Sequence, residues 1–226
     1  MSQLKQLLSF ALTEQYDRTT INRKLIAALT MATDGQPFES LLAEARSLRQ
    51  RGLNKKAIEV YKRALEANAE SIQALNELGL VQIHVGDQIE AIEAFDRAIA
   101  IDPKDPTGHS NKAEAYLTTG SFDDALRTAQ TGLKEAKDSA ILLVKKARAL
   151  ESLLKIDEAI EAYYEALKFE SEDPEIWKAL ALCLDAKERW PEVSRAYRIA
   201  GGLHEKRGEG DEAEYCLKFA EMAENS

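Results

Sequence analysis

The stretch GDQIEAIEAFDRAIAIDPKD at residues 86–105 decides the fold, because close versions of it recur as LNKKAIEVYKRALEANAE at 53–70 and IDEAIEAYYEALKFESED at 156–173. A catalytic motif normally occurs once, whereas a phrase that recurs is a building unit. The frame is regular: Ala57, Ala91, Ala125 and Ala159 follow one another at 34 residues. Tyr61, Phe95, Tyr163 and Tyr197 keep the same frame, with Ala129 as the small exception, and Ala64, Ala98, Ala166 and Ala200 follow with Gly132 in the gap. Upstream lie the small residues Ala45, Gly79, Ala113, Ala147 and Ala181, and Gly52, Gly86 and Gly120 mark a third point. A fixed period of this length is the signature of a stacked array.

Each unit reads as two helices. In 72–85, Leu75, Leu78, Gly79 and Gln82 share one helical stripe. Gly86 ends that helix, where a positive φ is useful. In 88–101, Ile89, Ile92, Phe95, Ala98 and Ile99 form a second stripe, and Pro103 prevents its continuation. Asp105-Pro106 and Asp173-Pro174 open later units, with Asp as N-cap and Pro at the first helical position. Two helices approach closely only where a side chain is short, and the aromatic four residues on fills the neighbouring gap. One such hairpin cannot bury its apolar faces alone, but stacked neighbours can.

The pattern resembles the tetratricopeptide repeat. That family's unit wants Trp, Leu, Gly or Ala, Tyr, Gly, Ala, Phe or Tyr, Ala and Pro in order. The second unit supplies Leu75, Leu78, Gly79, Gly86, Ala91, Phe95, Ala98 and Pro103, and the fifth supplies Trp177, Leu180, Ala181, Tyr197 and Ala200. The resemblance implies an all-α fold: a right-handed α-solenoid of stacked antiparallel helix pairs. Five tandem repeats would span 37–207, as units 38–71, 72–105, 106–139, 140–173 and 174–207.

Both ends depart from the pattern. GEGDEAEYCLKFAEMA, with Ala213 and Ala220 in the key places, reads as a second helix arriving 14 residues early. Residues 208–226 would then be a C-terminal capping helix completing an overlapping sixth repeat. One helix at about 191–207 would serve two units, unless Gly201-Gly202 breaks it, since each Gly costs about 1 kcal/mol in a helix interior. Residues 1–36 lie outside the repeats and are apolar at helical spacing. Capping of the first repeat is the favoured reading; homo-oligomerisation through these helices and filling of the groove stay open.

Composition narrows the functions. With 31% charged residues, 5 Pro and 11 Gly among 226, long helices are favoured over a turn-rich β protein. A net charge of −9 argues against nucleic acid or an anionic membrane surface as partner. No apolar stretch approaches about 18 residues, and no signal peptide is expected, so a cytoplasmic location follows. Cys183, Cys216, His84, His109 and His204 are scattered, and no metal is expected. No G-x-S-x-G, P-loop or H-E-x-x-H occurs, so neither catalysis nor a cofactor is expected.

Function then falls to a groove. The family resemblance implies that the first helix of each unit lines a concave face, mainly at unit positions 2, 5, 9, 12 and 13. In the first unit these include Arg46, Arg49 and Gln50. The second contributes Gln73, Asn76, Leu80, Ile83 and His84, and the third Thr107, Ser110, Glu114, Leu117 and Thr118. The fourth contributes Ile141, Val144, Arg148, Glu151 and Ser152, and the fifth Lys178, Leu182 and Asp185. Leu80, Ile83, Leu117, Ile141, Val144 and Leu182 have no packing role in the repeat. Concave apolar residues mark a binding site, or pack within a tight superhelix. The favoured function is a non-catalytic scaffold that binds a protein or peptide segment, with Arg46, Arg49 and Arg148 receiving acidic side chains. The alternative is structural self-assembly through the terminal helices. A family variant that grips chaperone C-terminal carboxylates would need two Lys, two Asn and an Arg where this chain has Asn76, Leu80, Asn111, Ile141 and Lys145. Only Asn111 matches.

Overall fold

In the computed structural model the described residues are 36–226. The expectations for the N-terminal segment up to residue 35 lie outside them. Among the described residues there are eleven helices and no strand: α1 (Phe38–Gln50), α2 (Asn54–Ala67), α3 (Ile72–Val85), α4 (Gln88–Ile101), α5 (Pro106–Thr118), α6 (Phe122–Glu135), α7 (Ala140–Ser152), α8 (Ile156–Leu167), α9 (Pro174–Asp185), α10 (Trp190–Lys206) and α11 (Gly210–Glu224). The protein is all-α and solenoid-like. Two compact units divide within α4, one ending at Ala94 and the other beginning at Phe95. In the first, α1 packs on α2 and α2 on α3; in the second, each helix from α5 to α11 packs on the next. No helix of the described residues is long and apolar enough to cross a membrane.

The framing residues form the contacts between helices. Ala57, Ala91, Ala125, Ala159 and their upstream counterparts Ala45, Ala113, Ala147 and Ala181 expose no surface. Tyr61, Phe95 and Tyr163 are the largest fully buried side chains, and Tyr197 is buried with them. Where the frame is broken, at Ala129 and Gly132, neighbours take the space: a Cβ on Gly132 would lie 2.8 Å from both His109 Cβ and Leu142 Cδ1.

One turn closes every hairpin between a first and a second helix. The N–H of Asp87 donates to the Gln82 carbonyl at 2.9 Å, and Gly86 between them takes φ 91°. The same bond, spanning five residues, joins Leu53 to Leu48, Ser121 to Tyr116, Lys155 to Leu150, Arg189 to Leu184 and Glu209 to His204. It satisfies a carbonyl that the helix end leaves over. Gly52, Gly86, Gly120 and Gly208 hold the left-handed position, but Leu154 (φ 60°) and Glu188 (φ 55°) hold it in the α7–α8 and α9–α10 turns. A side chain there costs roughly 1–2 kcal/mol. Three first helices open on side-chain caps: the side chains of Ser71, Asp105 and Asp173 accept from the N–H groups of Ala74, Thr107 and Glu175.

Helix α10 runs unbroken through Gly201-Gly202, packing against both α9 and α11. Gly201 lies against α11, where a Cβ would be 3.3 Å from the Ala213 carbonyl oxygen and the Leu217 Cγ, while Gly202 faces open space. The two residues therefore separate close approach from helix propensity. Gly202→Ala should stabilise the protein by about 0.5–1 kcal/mol. Gly132→Ala should instead destabilise it by about 1–3 kcal/mol, through overpacking against His109 and Leu142. Urea denaturation of both variants checks the contrast; equal shifts would contradict this packing.

Candidate functional site

The charged residues of successive first helices pair with one another. In the first compact unit, Arg46 of α1 holds Glu77 of α3 through Nε at 3.1 and 2.9 Å, and through a terminal nitrogen at 2.5 Å. The Tyr61 hydroxyl donates to the same carboxylate at 2.9 Å. In the second unit, Glu114 of α5 accepts from Lys145 Nζ at 2.8 Å and from Arg148 at 2.6 Å, both on α7. Lys178 of α9 reaches Glu212 of α11 at 3.0 Å and Glu175 at 3.2 Å. Tyr163 donates to Glu151 at 3.1 Å.

These bonds set the ionisation of their members. Burial alone would push the Glu77 carboxyl up, but hydrogen bonds from Arg46 and Tyr61 prevail and hold it below the ordinary carboxylate value. Glu114 is likewise lowered, with burial overcome by Lys145 and Arg148. Burial and the nearby carboxylates raise the Tyr61 and Tyr163 hydroxyls. His109 is held below its ordinary value by burial and then by Lys112.

The expected groove residues meet different fates. Leu80, Ile141 and Leu182 are exposed by 43, 47 and 54%. Ile83, Leu117 and Val144 are half-buried, and Val144 packs on the core of the second unit. Gln73, Arg49 and His84 are exposed. Asn76 and Ser110 are buried, so they present little surface to a partner. Arg46 and Arg148 point at Glu77 and Glu114, and Lys178 at Glu175 and Glu212; as placed, these cations are spent within the fold.

Two clefts gather what remains. In the first compact unit, a cleft of about 280 Å³ is lined by Arg49 and Gln50, by Gly52 of the turn that follows and Asn54 at the start of α2, and by Leu80, Val81 and His84 of α3. In the second, a cleft of about 570 Å³ runs between α7 and α9. Ile141, Val144, Ile176 and Ala179 give it an apolar floor, with Arg148, Glu170, Asp173 and Glu175 at its edge. Ile176, Ala179 and the three carboxylates were missing from the sequence reading. The acidic run ESEDPE at 170–175, directly before α9, was the available signal. Among the described residues no group of His, Cys, Asp and Glu side chains converges as a metal site requires. Both cysteines are buried, and burial pushes the Cys183 thiol up to about 12.

Stacked helix hairpins with this turn, frame and exposed first-helix face define a helical-repeat protein. A tetratricopeptide repeat family model matches residues 42–106 and 144–192, and a second matches 83–149. The chain belongs to the tetratricopeptide repeat family. Among curated proteins it is 32% identical over 122 residues to Protein FlbA of Caulobacter vibrioides, covering 53% of this chain and 20% of that protein. It is 32% identical over 114 residues to the Hsp70-Hsp90 organising protein of Plasmodium falciparum, covering 50% of this chain and 45% of the other. The chain thus spans less than half the length of these relatives. A thermophilic TPR protein of Thermus thermophilus shares the fold with a TM-score of 0.65 at 22% identity, over 82% of this chain and all of that one.

The Glu77 knot should matter more than an exposed pair. Glu77→Ala leaves Arg46 and the buried Tyr61 hydroxyl without their partner and should cost about 1–3 kcal/mol. Asp124→Ala, which removes an exposed pair with Arg127, should cost about 0–1 kcal/mol by the same denaturation assay. Acidification should act in two stages. A lowered His109 means that the unfolded chain takes up its proton first, so stability falls as pH drops below about 6.5. The lowered Glu77 and Glu114 contribute stability that is present above about 4.5 and lost as pH falls through their folded values. Thermal unfolding across this range should show the first stage in the wild type and a shallower one in His109→Gln.

Proposed function

We propose that the protein is a non-catalytic scaffold that binds segments of partner proteins through the exposed faces of its first helices. The observation that carries this reading is the cleft between α7 and α9, whose apolar floor joins the exposed Ile141 to Val144, Ile176 and Ala179. Apolar side chains gathered in a concave surface mark a binding site more than scattered ones do. Leu80, Arg49 and His84 give the first unit a smaller contact surface of the same kind. The Hsp70-Hsp90 organising protein is a relative by repeat, but the carboxylate-gripping positions of the chaperone-binding variant are Asn76, Leu80, Asn111, Ile141 and Lys145 in this chain. Chaperone tails are therefore not the proposed ligand.

A second reading, self-assembly through a terminal helix, draws support from α11, where Tyr215 and Met222 are exposed on one face. Two experiments separate the readings. Ile141→Glu with Leu182→Glu should weaken capture of partners from a lysate by at least tenfold, about 1.4 kcal/mol, while the circular dichroism spectrum stays native. Unchanged capture by the folded variant would sink the groove reading. Light scattering should find the wild type monomeric; an oligomer that dissociates in Tyr215→Ser with Met222→Ser would establish self-assembly instead.

A further inference from the structure

The partner's charge can be read from the cleft between α7 and α9, given the preceding proposal that this cleft binds a protein segment. A guanidinium and three carboxylates, those of Glu170, Asp173 and Glu175, line it. The guanidinium belongs to Arg148, which already sits 2.6 Å from Glu114. Another cation close by, Lys178, lies 3.2 Å from Glu175 and 3.0 Å from Glu212, so it is shared between two carboxylates. Asp173 accepts the N–H of Glu175, which orients its carboxylate without neutralising it. Glu170 is exposed within the α8–α9 connection. What an incoming chain meets is therefore an apolar surface beside the Glu170 and Asp173 carboxylates, while Glu175 is held by Lys178 and lies 3.5 Å from His204, and Arg207 donates to the intervening Glu172 carbonyl at 2.7 Å.

We infer that this cleft takes a linear protein segment in which an aliphatic side chain stands beside Lys or Arg. The aliphatic group covers the exposed Ile141 and removes it from water, beside Ile176, which the core already buries. The cation meets the Glu170 and Asp173 carboxylates, which no cation of the described residues satisfies by a salt bridge. Acidic segments, nucleic acid and anionic lipid all carry the wrong sign for this border. The shape suits an extended strand or one face of a helix, since the concavity lies between two helices of a stack. The polarity is the reverse of what Arg46, Arg49 and Arg148 promise in the sequence, because two of those three are consumed by the ladder of ion pairs.

The test is a selection. A library of short random peptides is panned on the whole wild-type chain and counter-selected on Ile141→Glu. Enriched sequences are synthesised with a fluorescent label and titrated by anisotropy. The selected peptides should place Leu, Ile or Val next to Lys or Arg. Their binding should weaken at least fivefold with Glu170→Lys, less with Glu170→Gln, and should weaken on raising salt. Peptides that need Ile141 but are acidic or uncharged, and are indifferent to Glu170→Lys, would overturn this inference and leave the groove reading standing. Failure to enrich any peptide that depends on Ile141 would overturn both.

Discussion

The close approach of helix axes at one small residue per helix is the constraint on which the rest of this structure depends. Ala57, Ala125 and Ala159 in second helices, and Ala45, Ala113, Ala147 and Ala181 in first helices, expose no surface, and their short side chains allow neighbouring helices to approach. Short separation brings aromatic rings such as Tyr61 and Tyr163 fully into the core, and with them their hydroxyls. A buried hydroxyl must find a partner. Glu77 and Glu151 supply it, and Arg46 in turn compensates Glu77. At Glu77 the ion pair is thus a consequence of packing: close helices bury the phenol, the phenol recruits a carboxylate, and the carboxylate recruits a cation.

The architecture was legible because it is written in single residues at a fixed interval. Alanine, aromatic and glycine positions each serve one contact, so their recurrence reports the contact itself. At the C-terminal end, GEGDEAEYCLKFAEMA falls in α11, packed on the unbroken α10. The continuity of α10 through Gly201-Gly202 was not legible, because propensity counts the cost of glycine and not the packing of Gly201 against α11.

Exposure on the first helices was legible in the sequence, and charge pairing between units was not. Ile141 and Leu182 are exposed on first helices, as the repeat template has it. Arg46 and Arg148 read as free cations only while each unit is considered alone. Their partners lie 31 and 34 residues away, on the equivalent helix of a neighbouring unit. An opposite charge at that interval is a signal that a sequence carries and that single-unit reasoning overlooks. The turns tell a similar story. Leu154 and Glu188 stand in the frame of the glycines yet hold a left-handed backbone, because the five-residue bond from Lys155 to Leu150 and from Arg189 to Leu184 dictates the turn whatever residue occupies it.

The two thiols have a practical meaning for work on the protein. Cys183 and Cys216 are the only cysteines in the chain, and both are sealed inside the second unit, where burial disfavours the thiolate. Alkylating reagents and disulfide exchange act on thiolates they can reach. The native fold therefore comes already blank for site-specific chemistry. A cysteine introduced at a cleft edge would carry a probe or crosslinker to one chosen place, with no native thiol to be removed first.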